Sequence, residues 1–197
     1  MERAILVRHG ESEFSVRRLV NGDVTVPCAL TPRGIEEARR LGAELAGEEI
    51  DLCVTSEFER ARQTADVALE GRSVPRLVLA ELNDPRYGKY ECGALGSYLE
   101  WAHAHGSREV PPGNGEARAA IAARYAAGFR KVLERPEPVV LVVAHSLPIA
   151  YVLMARAGRD PAPKVDLVEH AKPYPLGRKE LEQAVSRIDA WCANPSW

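Results

Sequence analysis

Ala4-Ile5-Leu6-Val7 is an unbroken apolar run that ends abruptly in Arg8, His9 and Gly10. A second run, Val139 to Ala144, reads VVLVVA and ends in His145. Apolar runs without polar alternation mark strands covered on both faces, as in a parallel sheet. Asp51 to Thr55 (DLCVT) and Arg76 to Ala80 (RLVLA) are two further strand candidates. Between the strands the period changes. Ile35, Ala38, Leu41 and Leu45 give one buried face to a helix that Thr31 opens as N-cap, with Pro32 at its first position. Glu59 to Leu69, about Glu116 to Leu133, Leu147 to Ala157 and the amphipathic Arg178 to Cys192 read as further helices.

Strands that alternate with helices predict an α/β fold. The expected form is a three-layer sandwich, with a mainly parallel central sheet and helices on both faces. The stretch from Asp84 to Gly115 breaks this rhythm. It holds Gly88, Gly93, Gly96, Gly106 and the run Pro111-Pro112-Gly113-Asn114-Gly115. It reads as a small insertion packed over one end of the sheet. The expected organisation is a single domain over residues 1–197, with 84–115 as a cap over the site.

Composition narrows the function classes. The 197 residues suffice for one proper core, and 46% apolar with 27% charged residues is ordinary for a globular chain. A net charge of −2 gives no footing for a nucleic-acid or membrane-surface partner. No apolar run reaches the length of a membrane span. Glu2, Arg3 and Arg8 interrupt the only apolar stretch near the N-terminus, so no signal peptide is expected and the cytoplasm is the default. Cys28, Cys53, Cys92 and Cys192 are scattered, with no C-x-x-C pair, and read as reduced, small apolar groups. Neither a zinc set nor a magnesium-type carboxylate cluster is evident, so no metal and no cofactor are expected. Oligomeric state is open.

The strand ends carry the chemistry. A buried strand that ends in a cation needs a partner carboxylate or a bound anion. Ligands of open α/β sheets bind beyond the carboxyl ends of the strands. There this chain places Arg8-His9-Gly10, then Ser56 followed by Arg60 and Arg62, then Glu81 and Asp84, and finally His145-Ser146. Helix N-termini after Glu57 and after Ser146 add main-chain N–H groups. Two or three arginines, two histidines and an acid on one sheet edge fit a small dense anion, phosphate best.

LVRHGES, SEFERARQTA, LNDPRYGKYE, PPGNGEAR and VVLVVAHS occur in this order. Together they resemble the histidine phosphatase superfamily, also called the phosphoglycerate mutase-like family, from Ala4 to about Ala157. The resemblance implies a metal-independent phosphatase acting on a small phosphate monoester through a phosphohistidine. It implies His9 as nucleophile, Arg8 and Arg60 as holders of the phosphoryl oxygens, His145 as a further hydrogen-bonding partner, and Asp84 as general acid. Three positions depart from the family pattern. Asp84 stands where many members have Glu, Ser146 replaces a common glycine, and Ser15 replaces a common asparagine.

Other residues admit two readings. Glu81 is the rival acid, and Asp84 itself lies in an Asn-Asp-Pro turn signal. Arg86 and Lys89 flank the acid, either as a substrate rim or as solvated loop charges. Arg62 leans to surface pairing and Glu11 to a structural role. His103 and His105 do not share a helix face, and a surface role fits His170 better than the pocket rim. Trp101, with Tyr98 and Leu99, reads either as packing for the insertion or as lining of a substrate pocket. The rival functions are a phosphomutase with the same phosphoenzyme and a silent phosphate- or nucleotide-binding module.

Overall fold

A computed structural model describes residues 1–197. The N-terminal run forms β1 (Arg3–Arg8) and VVLVVA forms β4 (Val139–Ala144), paired in parallel with Arg8 opposite Ala144. β2 (Leu52–Thr55) joins β4 on its other side, and β3 (Arg76–Val78) joins β2, both in parallel. The strand order is β3-β2-β4-β1, with β5 (Pro173–Gly177) outside β1. The residues after β1, β2, β3 and β4 therefore meet at one edge.

Alternate side chains of each strand enter separate cores, as the period of two requires. Ala4, Leu6, Val140 and Val142 pack with α5 (Arg118–Leu133), α6 (Ser146–Arg156) and α7 (Arg178–Ala193). Ile5, Val7, Leu141 and Val143 pack with α2 (Pro32–Glu44) and α3 (Glu59–Ala68) on the opposite face. These are the three expected layers.

The strand β5 (Pro173–Gly177) was not expected. It runs antiparallel to β1, with Val7 opposite Pro173 and Ile5 opposite Pro175. Two prolines in PYPLG argue against a strand, but proline is tolerated on an outer strand that needs no second partner. RLVLA is shorter than expected: after Val78 the chain turns into a 3₁₀ helix, Ala80–Leu82. The stretch 84–115 contains α4 (Leu95–Ala104), which buries Tyr98 and Ala102 against Val20 and Tyr87. A four-residue helix, α1 (Glu13–Val16), follows the first strand loop. No helix is long and apolar enough to cross a membrane, and all four cysteines are unpaired.

One helix is locked to the end of β1 by main-chain contact. A Cβ on Gly10 would lie 2.5 Å from the Gly34 carbonyl oxygen, and one on Gly34 would lie 1.9 Å from that of Glu11. Only two glycines allow so close an approach. Thr31 caps α2 through its hydroxyl, which accepts from Gly34 N at 3.0 Å and donates to Glu11 Oε1 at 2.8 Å. Glu11 thus has the structural role expected of it.

Candidate active site

His9 continues the ladder of β1, donating its main-chain N–H to Ala144 O at 2.9 Å. Its Nδ1 lies 2.7 Å from the Gly10 carbonyl. A carbonyl only accepts, so Nδ1 carries the ring proton and Nε2 keeps a lone pair. Arg60 Nε donates to that Nε2 at 3.3 Å. The first turn of α3 thereby sets Arg60 beside the imidazole. Thr64, one turn on, accepts from Gly10 N at 2.9 Å and donates to Arg60 O at 2.7 Å.

The Arg60 guanidinium lies over the Phe58 ring and is only 3% exposed. Nη1 donates to Asn21 Oδ1 at 2.7 Å and Nη2 to Asp84 Oδ2 at 2.6 Å. His145 Nδ1 is 3.1 Å from the same Asp84 oxygen, and its Nε2 is 2.9 Å from Ser56 Oγ. The carboxylate accepts from Nδ1–H, so the Ser56 hydroxyl donates to Nε2. The His9 and His145 rings meet edge to face at 5.3 Å between centroids. Arg8 donates through Nη1 to Val168 O at 2.7 Å, while its buried Nε has no partner. Arg8, His9, Asn21, Arg60 and Asp84 floor a cavity of about 650 Å³, with His145 buried behind them. Its walls come from α1, the turn at 19–21, α4, and a strap at residues 163–170.

The model of the histidine phosphatase superfamily (branch 1) matches residues 4–173. The chain belongs to this superfamily. It is 30% identical over 162 residues to an uncharacterized phosphatase, PhoE, of Bacillus subtilis, covering 82% of this chain and 80% of that protein. It is 45% identical over 89 residues to an adenosylcobalamin/alpha-ribazole phosphatase of Salmonella typhimurium, covering 45% of this chain and 43% of the relative. That match spans less than half of the relative's length. A crystal structure of a putative alpha-ribazole-5'-P phosphatase from Escherichia coli K-12 superposes with a TM-score of 0.76 at 29% identity, over 89% of this chain and 90% of that one.

The field at the site favours a neutral His9 imidazole and an ionised Asp84 carboxylate. Burial, with help from Arg60, His145 and Arg8, pushes the His9 imidazole well below its ordinary value of 6.5. Burial also lowers His145, against the pull of Asp84, and it lowers His170 with help from Arg8. Burial works against the Asp84 carboxylate too. His145 and Arg60 outweigh it and hold that carboxyl well below the usual carboxylate range.

The sign of the histidine shifts gives a prediction. Each folded-state value lies below 6.5, so the unfolded chain takes up protons first as pH falls. Stability is complete above that value and is lost below it, by up to roughly 1.4 kcal/mol per pH unit for each fully buried histidine. Urea titrations of the phosphate-free protein should show a falling unfolding free energy from about pH 7 to about pH 5.5. A flat profile would contradict the burial of neutral His9 and His145.

Of the residues singled out in the sequence, His9, Arg8, Arg60, Asp84 and His145 come together. Three others do not. Glu81, the rival acid, is turned outward by the 3₁₀ helix and pairs with Lys131 of α5 at 2.5 Å. Arg86 is exposed and lines a second cavity on the other side of Asp84, its main chain tied to Glu116. Lys89 is exposed over the Tyr90 ring, its N–H bound to Pro112 O. Neither Arg86 nor Lys89 lines the cavity that holds His9. Arg62 is exposed, in keeping with a surface role.

His170 corrects the surface reading: it lines the cavity, and its Nδ1 lies 2.7 Å from His9 O. Ser15 and Ser146 also line the cavity. Ser15 closes a capping box with Ser12, and Ser146 Oγ accepts from Val168 N at 2.9 Å, fixing the strap. Asn21 stands in an Asn-Gly-Asp stretch of turn formers. Its burial to 3% exposure beside Arg60 shows a second use, which the polar Asn-Gly-Asp context concealed.

Proposed function

We propose that the protein hydrolyses a small phosphate monoester through a phosphohistidine on His9. The observation that carries this reading is the Nε2 lone pair of His9, held by the Nδ1 bond to Gly10 O and flanked by Arg60 and His145. Phosphoryl transfer asks mainly for positioning and for charge stabilisation at the equatorial oxygens. Arg8, with its unpartnered Nε, and Arg60 supply that charge, so the reading calls for no metal.

In the first step Nε2 attacks phosphorus and the bond to the leaving oxygen breaks. Asp84 gives the leaving oxygen a proton. Bound phosphate draws Arg60 away from Asp84 and sets negative charge beside it, which raises the carboxyl toward protonation. In the second step water attacks phosphorus, Asp84 takes its proton, and the P–N bond returns its electrons to Nε2. His145, whose Nδ1–H meets Asp84 before phosphate binds, turns that donor to the phosphoryl group as it enters. Residues 84–115 act as the cap of a single domain, and the cytoplasm is the compartment this reading assumes. Between Gly88 and Gly113 the only α-helix is the ten-residue α4, a short cover that favours hydrolysis over transfer within a shielded mutase site.

Rapid quench of a turnover mixture containing phosphorus-labelled substrate tests the reading. Alpha-ribazole phosphate is a natural first choice, given the relatives. Phosphate should appear on the protein, labile in acid and stable in base, as a phosphoramidate is. Label on an aspartate or serine would overturn it.

A further inference from the structure

Arg8 and Arg118 are the two arginines whose Nε is buried without a partner, and both line the cavity. Each donates instead to one main-chain carbonyl of the strap: Arg8 to Val168 O at 2.7 Å, Arg118 to Pro163 O at 3.3 Å. Arg60 and the half-buried Arg124 are treated differently. Arg124, two turns further along α5, is gripped by both Glu116 oxygens at 2.8 and 2.9 Å, and Arg60 has Asp84. Arg118 is 6% exposed, and the groups beside it that favour its charge are tyrosine hydroxyls, Tyr98 and Tyr151 foremost, and no carboxylate. A neutral carbonyl at the edge of hydrogen-bond range does not compensate a buried cation.

On the reading above, the missing partner of Arg8 is the transferred phosphoryl group. Arg118 has the same unmet demand at the other end of the strap. The two carbonyls are five residues apart, at most about 18 Å of extended chain. Leu95, Leu99, Leu147 and Val165 line the cavity along with them. We propose that Arg118 is a specificity residue that binds a carboxylate at the end of the substrate remote from the phosphate. The substrate class is then an apolar body with a phosphate monoester at one end and a carboxylate at the other. A planar guanidinium matches a carboxylate edge to edge, and one buried positive charge balances one negative charge.

This inference rests on the phosphate site proposed above, so its test reads binding and not turnover. Alkylphosphonates of graded length, ending in either a carboxylate or a methyl group, are titrated into the protein by calorimetry. At one length the carboxylate should tighten binding by about 10- to 100-fold, the range of a charged hydrogen-bonded contact. Arg118→Met keeps the volume and should erase the difference between the two series. Arg118→Lys, which keeps the charge and loses the fork, should retain part of it. Removing a buried unpaired cation should leave the melting temperature of Arg118→Met no lower than the parent's.

Equal binding of both series at every length, or a preference that survives Arg118→Met, overturns the assignment. Tighter binding of the corresponding bisphosphonates than of the carboxylates would overturn the carboxylate in favour of a second phosphate. Failure of the methyl-ended series as well would overturn the phosphate site itself, and this inference with it.

Discussion

The His9→Ala variant is expected to lose turnover of every phosphate monoester by roughly 10⁴-fold or more, the scale of losing a covalent nucleophile. Acid-labile label should vanish with it. The variant leaves Arg8, Arg60 and His145 in place, so it should still bind inorganic phosphate and gain melting temperature from it. That combination separates chemistry from binding. The Nε2 atom has no substitute nearby: His145 Nδ1 is engaged by Asp84 and its Nε2 by Ser56, and His170 Nδ1 is bound to His9 O. Near-normal turnover, or persistent label, would refute the assignment of the nucleophile.

The second large effect falls on Asp84. Asp84→Asn should slow hydrolysis of alkyl phosphates by about 10²–10⁴-fold, the usual worth of a positioned general acid. Hydrolysis of p-nitrophenyl phosphate should change little, because its leaving group departs without a proton. The same variant should bind inorganic phosphate more tightly. Asp84 Oδ2, 2.6 Å from Arg60 Nη2, is a negative charge on the cation the phosphate needs, and the amide removes it. Steady-state kinetics on both esters and calorimetry with phosphate check the two halves. Equal losses on both esters would exclude Asp84 as the acid, and the contrast appearing in Glu81→Gln would move the role to Glu81.

Much of this site was legible because its side chains stand at strand ends. A strand buried on both faces is the strongest pattern a sequence offers, and RHG and HS follow two such strands directly. The α2 cap was equally plain, since Thr31-Pro32 states its own geometry. What stayed hidden depends on tertiary packing. PYPLG pairs only because β1 offers a free edge, and no local preference announces that. Asn21 and the strap owe their roles to partners distant in sequence, such as Arg60 and Arg8. Arg86 and Lys89 sit close to Asp84 in sequence, but neither lines the cavity that holds His9. Neighbourhood in sequence was a poor guide to the rim, whereas Arg118, 34 residues after Asp84, reaches it.

The contact of Gly10 and Gly34 has a genetic consequence. Gly34 touches no phosphate, yet a side chain there would drive the Glu11 main chain out of line, and His9 sits two residues upstream. No rotamer choice relieves an overlap with backbone, so even alanine is too large. In a saturation library selected for activity, position 34 should be as depleted as position 9. An observer mapping tolerance would mark it as part of the active centre, although its contribution is only the absence of a carbon atom.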